Sequence, residues 1–214
     1  MIGLIDYGMG NLHSVSSACR ALGLEVLISD DPAVLETCDK LILPGVGAFG
    51  DMDERLRQTG LKDWIQKAVR EEHKPLLGIC LGMQALFEKS FEFGEYEGLG
   101  FMQGEIVAME PLTVHEKGKT LRLSVPQIGW NRLIFSGNFE LAEELSRDPY
   151  VYFDHTYVLT GWDPADLVAY ASYGPYTVPA LLVKGCVAGA QFHPEKSGTE
   201  GLRILEWFGK EFCA

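Results

Sequence analysis

Leu76-Leu-Gly-Ile-Cys80-Leu-Gly82 is an apolar run that ends on a cysteine with a glycine two residues to either side. Apolar residues without interruption over four or five positions mark a parallel strand buried on both faces. The two glycines mark a sharp turn at its end. A nucleophile on a strand-to-helix turn of this kind brings its neighbours too close for Cβ atoms, so glycine is needed at i−2 and i+2. The thiol of Cys80 then stands exposed, with the N-terminus of the next helix behind it. That positive end, together with a nearby base, favours the reactive thiolate. A structural cysteine on a glycine-rich turn would share this spacing, so the rest of the chain must supply the partners.

Outward from this turn, strand and helix patterns alternate. Met1 to Asp6, Glu25 to Ser29 and Lys40 to Pro44 are β-rich runs, Leu12 to Leu22 is helical, and a turn starts at Pro32. Leu61, Trp64, Ile65, Ala68 and Val69 recur at helical spacing. From about Gly98 to Val183 the pattern changes to strands in succession: Ile106 to Met109, Tyr150 to Val158, Leu167 to Tyr173 and Pro179 to Val183. Val187 to His193 and a last helix close the chain, the helix opened by Ser197-Gly-Thr-Glu200 in capping-box spacing. These signals predict an α/β fold: a doubly wound, mostly parallel sheet flanked by helices, with an antiparallel or mixed extension, in a single domain over 1–214.

Composition narrows the function. The chain has 214 residues, 47% of them hydrophobic, enough for a core without disulfides or structural metals. Its 18 basic and 30 acidic residues give a net charge of −12, with no basic run to meet a phosphate backbone or an anionic membrane. No stretch approaches the eighteen apolar residues that span a bilayer, and the chain reaches Asp6 without a basic start. We expect a soluble, cytoplasmic protein with no nucleic-acid or membrane partner. Five cysteines without a CxxC pair suggest neither a disulfide framework nor zinc. His13, His73, His115 and His155 show no metal-ligand spacing, so no metal is expected. Gly8 and Gly10 follow the first strand, but the third glycine of a dinucleotide fingerprint would fall at His13, which excludes a nicotinamide site.

Two further signals bear on Cys80. In Gln191-Phe-His193-Pro-Glu195 the His and Glu lie at i and i+2, on one side of an extended segment, with the proline stiffening the pair. An imidazole acting as base needs its far nitrogen held by a carboxylate, and Glu195 is placed to hold His193. A lone histidine after a strand is more often a satisfied surface or core residue; a nucleophile nearby changes that balance. Pro44-Gly-Val-Gly47 ends an apolar run, and such a turn either aims backbone N–H groups into the same crevice, as an oxyanion hole requires, or is an ordinary tight turn.

Taken together, Pro44-Gly-Val-Gly-Ala-Phe-Gly50, Gly78-Ile-Cys-Leu-Gly-Met-Gln84 and Gln191-Phe-His-Pro-Glu-Lys-Ser197 resemble the triad, or class I, glutamine amidotransferases. Asp6-Tyr-Gly-Met-Gly-Asn-Leu12, Gly129-Trp-Asn131, Tyr152-Phe-Asp-His-Thr-Tyr157 and Glu195-Lys-Ser-Gly198 are similar to the branch that serves as glutaminase subunits of imidazole glycerol phosphate synthase, from histidine biosynthesis. The likeness covers essentially the whole chain. It implies that Cys80, His193 and Glu195 form the triad. It also implies that Leu81 and the Val46–Gly47 peptide supply the oxyanion N–H groups. Gln84 and Glu92 match positions that hold the amino-acid end of glutamine, with the backbone of His155, Thr156 and Tyr157 alongside.

The implied chemistry needs no cofactor: the thiolate attacks the carboxamide, ammonia leaves, and a glutamyl thioester is hydrolysed. It implies a partner, a (β/α)8-barrel cyclase subunit in a heterodimer, because ammonia released to water would be protonated. Asn11, Trp130 and Asn131 match positions at that interface; without a partner they are ordinary loop residues. One departure falls at Gln127, where many family members have histidine. It leaves the triad intact and keeps open a paralogous subtype that feeds ammonia to sugar modification for surface polysaccharides. A silent, purely regulatory domain is disfavoured by the presence of Cys80, His193 and Glu195 together.

Overall fold

The apolar runs assemble into one large sheet. In the computed structural model, which describes residues 1–116 and 119–213, the first half runs β1 (Ile2–Ile5), α1 (Leu12–Ala21), β2 (Val26–Ser29), α2 (Pro32–Leu35), β3 (Lys40–Gly45), α3 (Phe49–Gln58), α4 (Leu61–Arg70), β4 (Leu76–Cys80) and α5 (Leu81–Gln84). Short strands follow: β5 (Lys89–Ser90), β6 (Tyr96–Glu97), β7 (Glu105–Ala108), β8 (Thr113–Glu116), β9 (Lys119–Arg122), β10 (Gln127–Arg132) and β11 (Ile134–Phe135). The chain ends with α6 (Leu141–Glu144), β12 (Tyr150–His155), β13 (Tyr157–Thr160), β14 (Leu167–Tyr173), β15 (Tyr176–Lys184), β16 (Val187–Ala190) and α7 (Gly198–Lys210).

The main sheet has the order β11-β14-β15-β16-β4-β3-β1-β2. β2, β1, β3, β4 and β16 are parallel, and β15, β14 and β11 continue the sheet antiparallel, as the sequence predicts. β1, β3, β4 and β16 are buried along their whole lengths, which is why they carry apolar runs; the one charged residue, Lys40 at the start of β3, donates to the Phe208 and Phe212 carbonyls. Alternate residues divide between two cores. Ile42 and Leu77 pack with Val15 of α1 and Phe208 of α7, while Leu41, Leu43 and Leu76 pack with Leu56 of α3 and Ile65 of α4. Each such burial is worth about 1.5–3 kcal/mol. Gly45 lies opposite Cys80, and Ala190 opposite Ile79, so the carboxyl ends of β3, β4 and β16 stand level. Among the described residues no helix is long and apolar enough to cross a membrane.

Two local expectations are corrected and one gap is filled. The run from Tyr150 to Val158 is two strands: β12 pairs with β10, β13 pairs with β7, and the chain changes sheets at Thr156. The segment Phe49 to Gln58, unassigned from sequence, is a helix that buries Phe49, Met52 and Leu56. The capping box does not form. Ser197 Oγ instead donates to the His193 carbonyl at 2.6 Å and accepts from the Tyr152 N–H at 2.9 Å, and Glu200 accepts from the Ser146 N–H at 3.1 Å. Both side chains are engaged by groups outside the first turn of the helix, so neither caps it.

Candidate active site

The strand-to-helix turn has the close approach its glycines imply, but the thiol does not stand exposed as expected: Cys80 is 7% exposed, at the wall of a cavity. Cys80 sits at φ 53° and ψ −109°, a backbone state that costs of order 1–3 kcal/mol and is held by its surroundings. A Cβ on Gly82 would lie 1.8 Å from the Leu43 carbonyl oxygen, and one on Gly78 would lie 2.5 Å from the Gly82 carbonyl oxygen. The helix that follows the sulfur, α5, is a single turn of four residues, so any positive field at its N-terminus comes from its local N–H groups rather than from a helix-long dipole.

β16 delivers His193 three residues beyond its end. Pro194–Lys196 form a tight 3-10 turn, and this turn, rather than the alternation of an extended segment, brings Glu195 back onto the ring. His193 Nδ1 meets Glu195 Oε1 at 2.9 Å, with the two side chains 3% and 0% exposed. The His193 N–H donates to the Tyr152 carbonyl at 2.9 Å, and Ser197 braces the same backbone. Burial opposes a charge on His193, but the Cys80 sulfur and the Glu195 carboxylate outweigh it and push the imidazole up to about 9.

A cavity of about 220 Å³ opens at Cys80 and His193. It brings together every candidate oxyanion and glutamine-binding residue: Val46, Gly47, Leu81, Gln84, Glu92, His155, Thr156 and Tyr157. Glu92 Oε2 accepts from the Phe49 N–H at 2.7 Å, and burial raises this carboxyl above the ordinary carboxylate range. Burial pushes the His155 ring down to about 4 and keeps it neutral at pH 7, outweighing the contact of its Nδ1 with the Tyr157 carbonyl at 2.8 Å, which acts in the opposite direction. Pro126 and Asp154 also line the cavity and Gln191 reaches the cysteine; sequence reasoning assigned none of them a role. Gln191 was visible as the first residue of the His193 motif, whereas Pro126 and Asp154 carry no signal beyond their neighbours.

The candidate interface residues lie apart from the triad. Trp130 is 51% exposed on the outer side of β10, beside Ile128 at 60%, and its ring stands edge-on to Tyr152. Asn11 precedes α1 half-buried, and Asn131 accepts from Gln127 Nε2 at 2.9 Å. Gln127 itself is fully buried, opposite His155 in the β10–β12 register. Among the described residues no group of three or more His, Cys, Asp or Glu side chains stands ready to hold a metal; the His115 side chain lies outside the described ones.

A thiol, an imidazole and a carboxylate in series beside a cavity are the parts of cysteine-based acyl transfer. Residues 3–212 match the glutamine amidotransferase class-I family, and the chain belongs to it. Among that family's members it is similar to the imidazole glycerol phosphate synthase subunit HisH of Bacillus velezensis, 48% identical over 210 residues that span 98% of this chain and 96% of the relative. It is 44% identical over 209 residues to the HisH subunit of Aquifex aeolicus, spanning 97% and 95%. Solved structures share the fold. A glutamine amidotransferase superposes with a TM-score of 0.73 at 22% identity over 97% and 96% of the two chains, and PurLQS from Thermotoga maritima with 0.60 at 18% over 100% and 98%.

Proposed function

We infer that residues 1–214 act as one glutaminase unit, the glutamine-hydrolysing subunit of an imidazole glycerol phosphate synthase. The observation that carries the chemistry is the buried 2.9 Å contact between His193 and Glu195, beside a strained Cys80 in a cavity sized for a small amino acid. Cys80 attacks the glutamine carboxamide carbon, and the N–H groups of Leu81 and the Val46–Gly47 peptide receive the charge on its oxygen. His193, held charged, protonates the departing nitrogen, which leaves as ammonia. The same ring then takes a proton from the water that cleaves the glutamyl thioester, and glutamate is released with Cys80 restored. Glu195 fixes the tautomer and orientation of His193. Gln84, Glu92 and the backbone from His155 to Tyr157 hold the amino-acid end of glutamine.

The partner reading follows from the similarity to the HisH subunits. Ammonia passes to a (β/α)8-barrel cyclase subunit, which makes imidazole glycerol phosphate and aminoimidazole carboxamide ribonucleotide in histidine biosynthesis. The exposed Trp130, with Asn11 and Asn131, supports a docking face for that subunit. The test is glutamine hydrolysis by this chain alone, then with the cyclase subunit and its ribonucleotide substrate. Hydrolysis is expected to be slow alone and strongly stimulated by both together, and Cys80→Ala is expected to lose glutamine-dependent synthesis while keeping ammonia-dependent synthesis. Glutamate formation indifferent to the cyclase would overturn the partner reading, and loss of both syntheses in Cys80→Ala would make Cys80 structural.

A further inference from the structure

A series of hydrogen bonds runs from the turn between β12 and β13 to the cysteine. The Tyr157 carbonyl receives His155 Nδ1 at 2.8 Å and Gln84 Nε2 at 3.2 Å. Gln84 Nε2 also lies 3.1 Å from Gln191 Oε1, and Gln191 Nε2 lies 3.8 Å from Cys80 Sγ. The oxygen and nitrogen of a carboxamide look alike in shape, but a backbone carbonyl can only accept. Tyr157 therefore demands an N–H from Gln84. The second hydrogen on that nitrogen demands an oxygen from Gln191, and Gln191 is left with its NH2 group facing the sulfur. One acceptor at the far end sets the direction of every bond. Gln84 and Gln191 are 4% and 1% exposed, so water does not compete for these groups.

The sulfur faces two titratable groups, the His193 imidazole, which favours the thiolate, and the buried Tyr7 hydroxyl, and beside them it meets two opposed hydrogen-bonding neighbours. The Asp154 carbonyl, 3.7 Å away, accepts only from an S–H and so favours the neutral thiol. An NH2 donor favours the thiolate, because hydrogen bonds to a charged acceptor are the stronger ones. We propose that Gln191 is a further catalytic residue of this site: its side-chain NH2 donates to the Cys80 sulfur and stabilises the thiolate against the Asp154 carbonyl. Through Gln84, this donation is tied to the turn that receives the amino-acid end of glutamine. The inference rests on the reading of Cys80 as nucleophile.

The test is the pH dependence of Cys80 alkylation by iodoacetamide in the full chain, the modified cysteine being located by peptide mass, in the parent, Gln191→Leu and Gln191→Glu. Leucine removes the donor without adding charge. Glutamate keeps an oxygen for Gln84 but offers no N–H to the sulfur. The midpoint is expected to rise by about one pH unit in Gln191→Leu and further in Gln191→Glu. Glutamine kcat/KM at neutral pH is expected to fall about tenfold or more in both, with KM near the parent's in Gln191→Glu, where Gln84 stays held. A folded Gln191→Leu that alkylates with the parent's midpoint overturns the proposal, even if its KM has risen, because Gln191 then acts only by holding Gln84. Should the leucine variant fail to fold, a parent-like midpoint in Gln191→Glu overturns it equally. Hydrolysis surviving Cys80→Ala is a separate result that removes the nucleophile reading itself.

Discussion

Replacing Gly82 with alanine tests whether the contact between α5 and β3 sets the position of the nucleophile. The added Cβ would fall 1.8 Å from the Leu43 carbonyl oxygen and 2.8 Å from its carbon. An ordinary contact of this kind is above about 3 Å, so one of the two backbones must move by roughly 1 Å or more. Overpacked cores cost 1–3 kcal/mol where a side chain can swing aside. Here the obstacle is backbone, and Leu43 is paired with Gly78 in the sheet, so the cost lies at the upper end, about 3 kcal/mol. For a chain of this size each kcal/mol lowers Tm by about 2–4 °C, which predicts a fall of roughly 6–12 °C. A displacement near 1 Å at Cys80 is expected to cost about 100-fold in hydrolysis as well. Differential scanning calorimetry and glutaminase turnover measure both effects. Gly137→Ala is the control, since its Cβ would meet nothing within 4 Å. A Gly82→Ala protein that melts within about 2 °C of the parent and keeps its turnover would refute the argument that this contact shapes the turn.

Ser197→Ala strands the Tyr152 N–H and leaves the His193 carbonyl only its bond from the Lys196 N–H, and should cost about 1–3 kcal/mol in denaturant unfolding with a drop in kcat; an unchanged unfolding midpoint would show that the brace is idle. His193, raised to about 9, should give hydrolysis an alkaline limb centred near that pH, where the imidazolium proposed to protonate the departing nitrogen is lost; a profile flat to pH 10 contradicts the assignment. The stability tied to that raised value is fully present below about 6.5 and is lost as pH rises through about 9. His155 has the opposite sign. Lowered to about 4, it contributes stability above 6.5 that is lost as pH falls through 4, up to about 3 kcal/mol, and urea midpoints at pH 7 and 4.5 should show that loss in the parent and much less of it in His155→Gln.

Much of the fold is legible because its causes are local along the chain. A strand buried on both faces must be apolar at consecutive positions, as Leu41 to Leu43 and Leu76 to Ile79 are, and such strands need intervening helices. The misreadings share one cause. Tyr150 to Thr160 is uniformly strand-forming, yet the chain changes sheets at Thr156 because β10 and β7, remote in sequence, claim its two halves. Ser197 and Glu200 have the right spacing for a cap, but Tyr152, His193 and Ser146 offer them bonds that no pattern within 197–200 can announce.

The site divides along the same line. Excluded volume around Cys80 acts over two residues, so Gly78 and Gly82 betray the turn; and Glu195 must follow His193 closely, since a three-residue turn is what closes their contact. Gln191 is different. Its orientation is decided by the Tyr157 carbonyl, through Gln84, and those three residues come from β13, α5 and the segment after β16. A property set by the direction of hydrogen bonds across three distant segments leaves no spacing to read. The same remoteness gives the proposal a functional consequence: if Gln191 donates to the sulfur, a ligand that reorients the carbonyl at Tyr157 changes what Gln191 can offer Cys80, and the turn proposed to bind glutamine and the proposed nucleophile respond together.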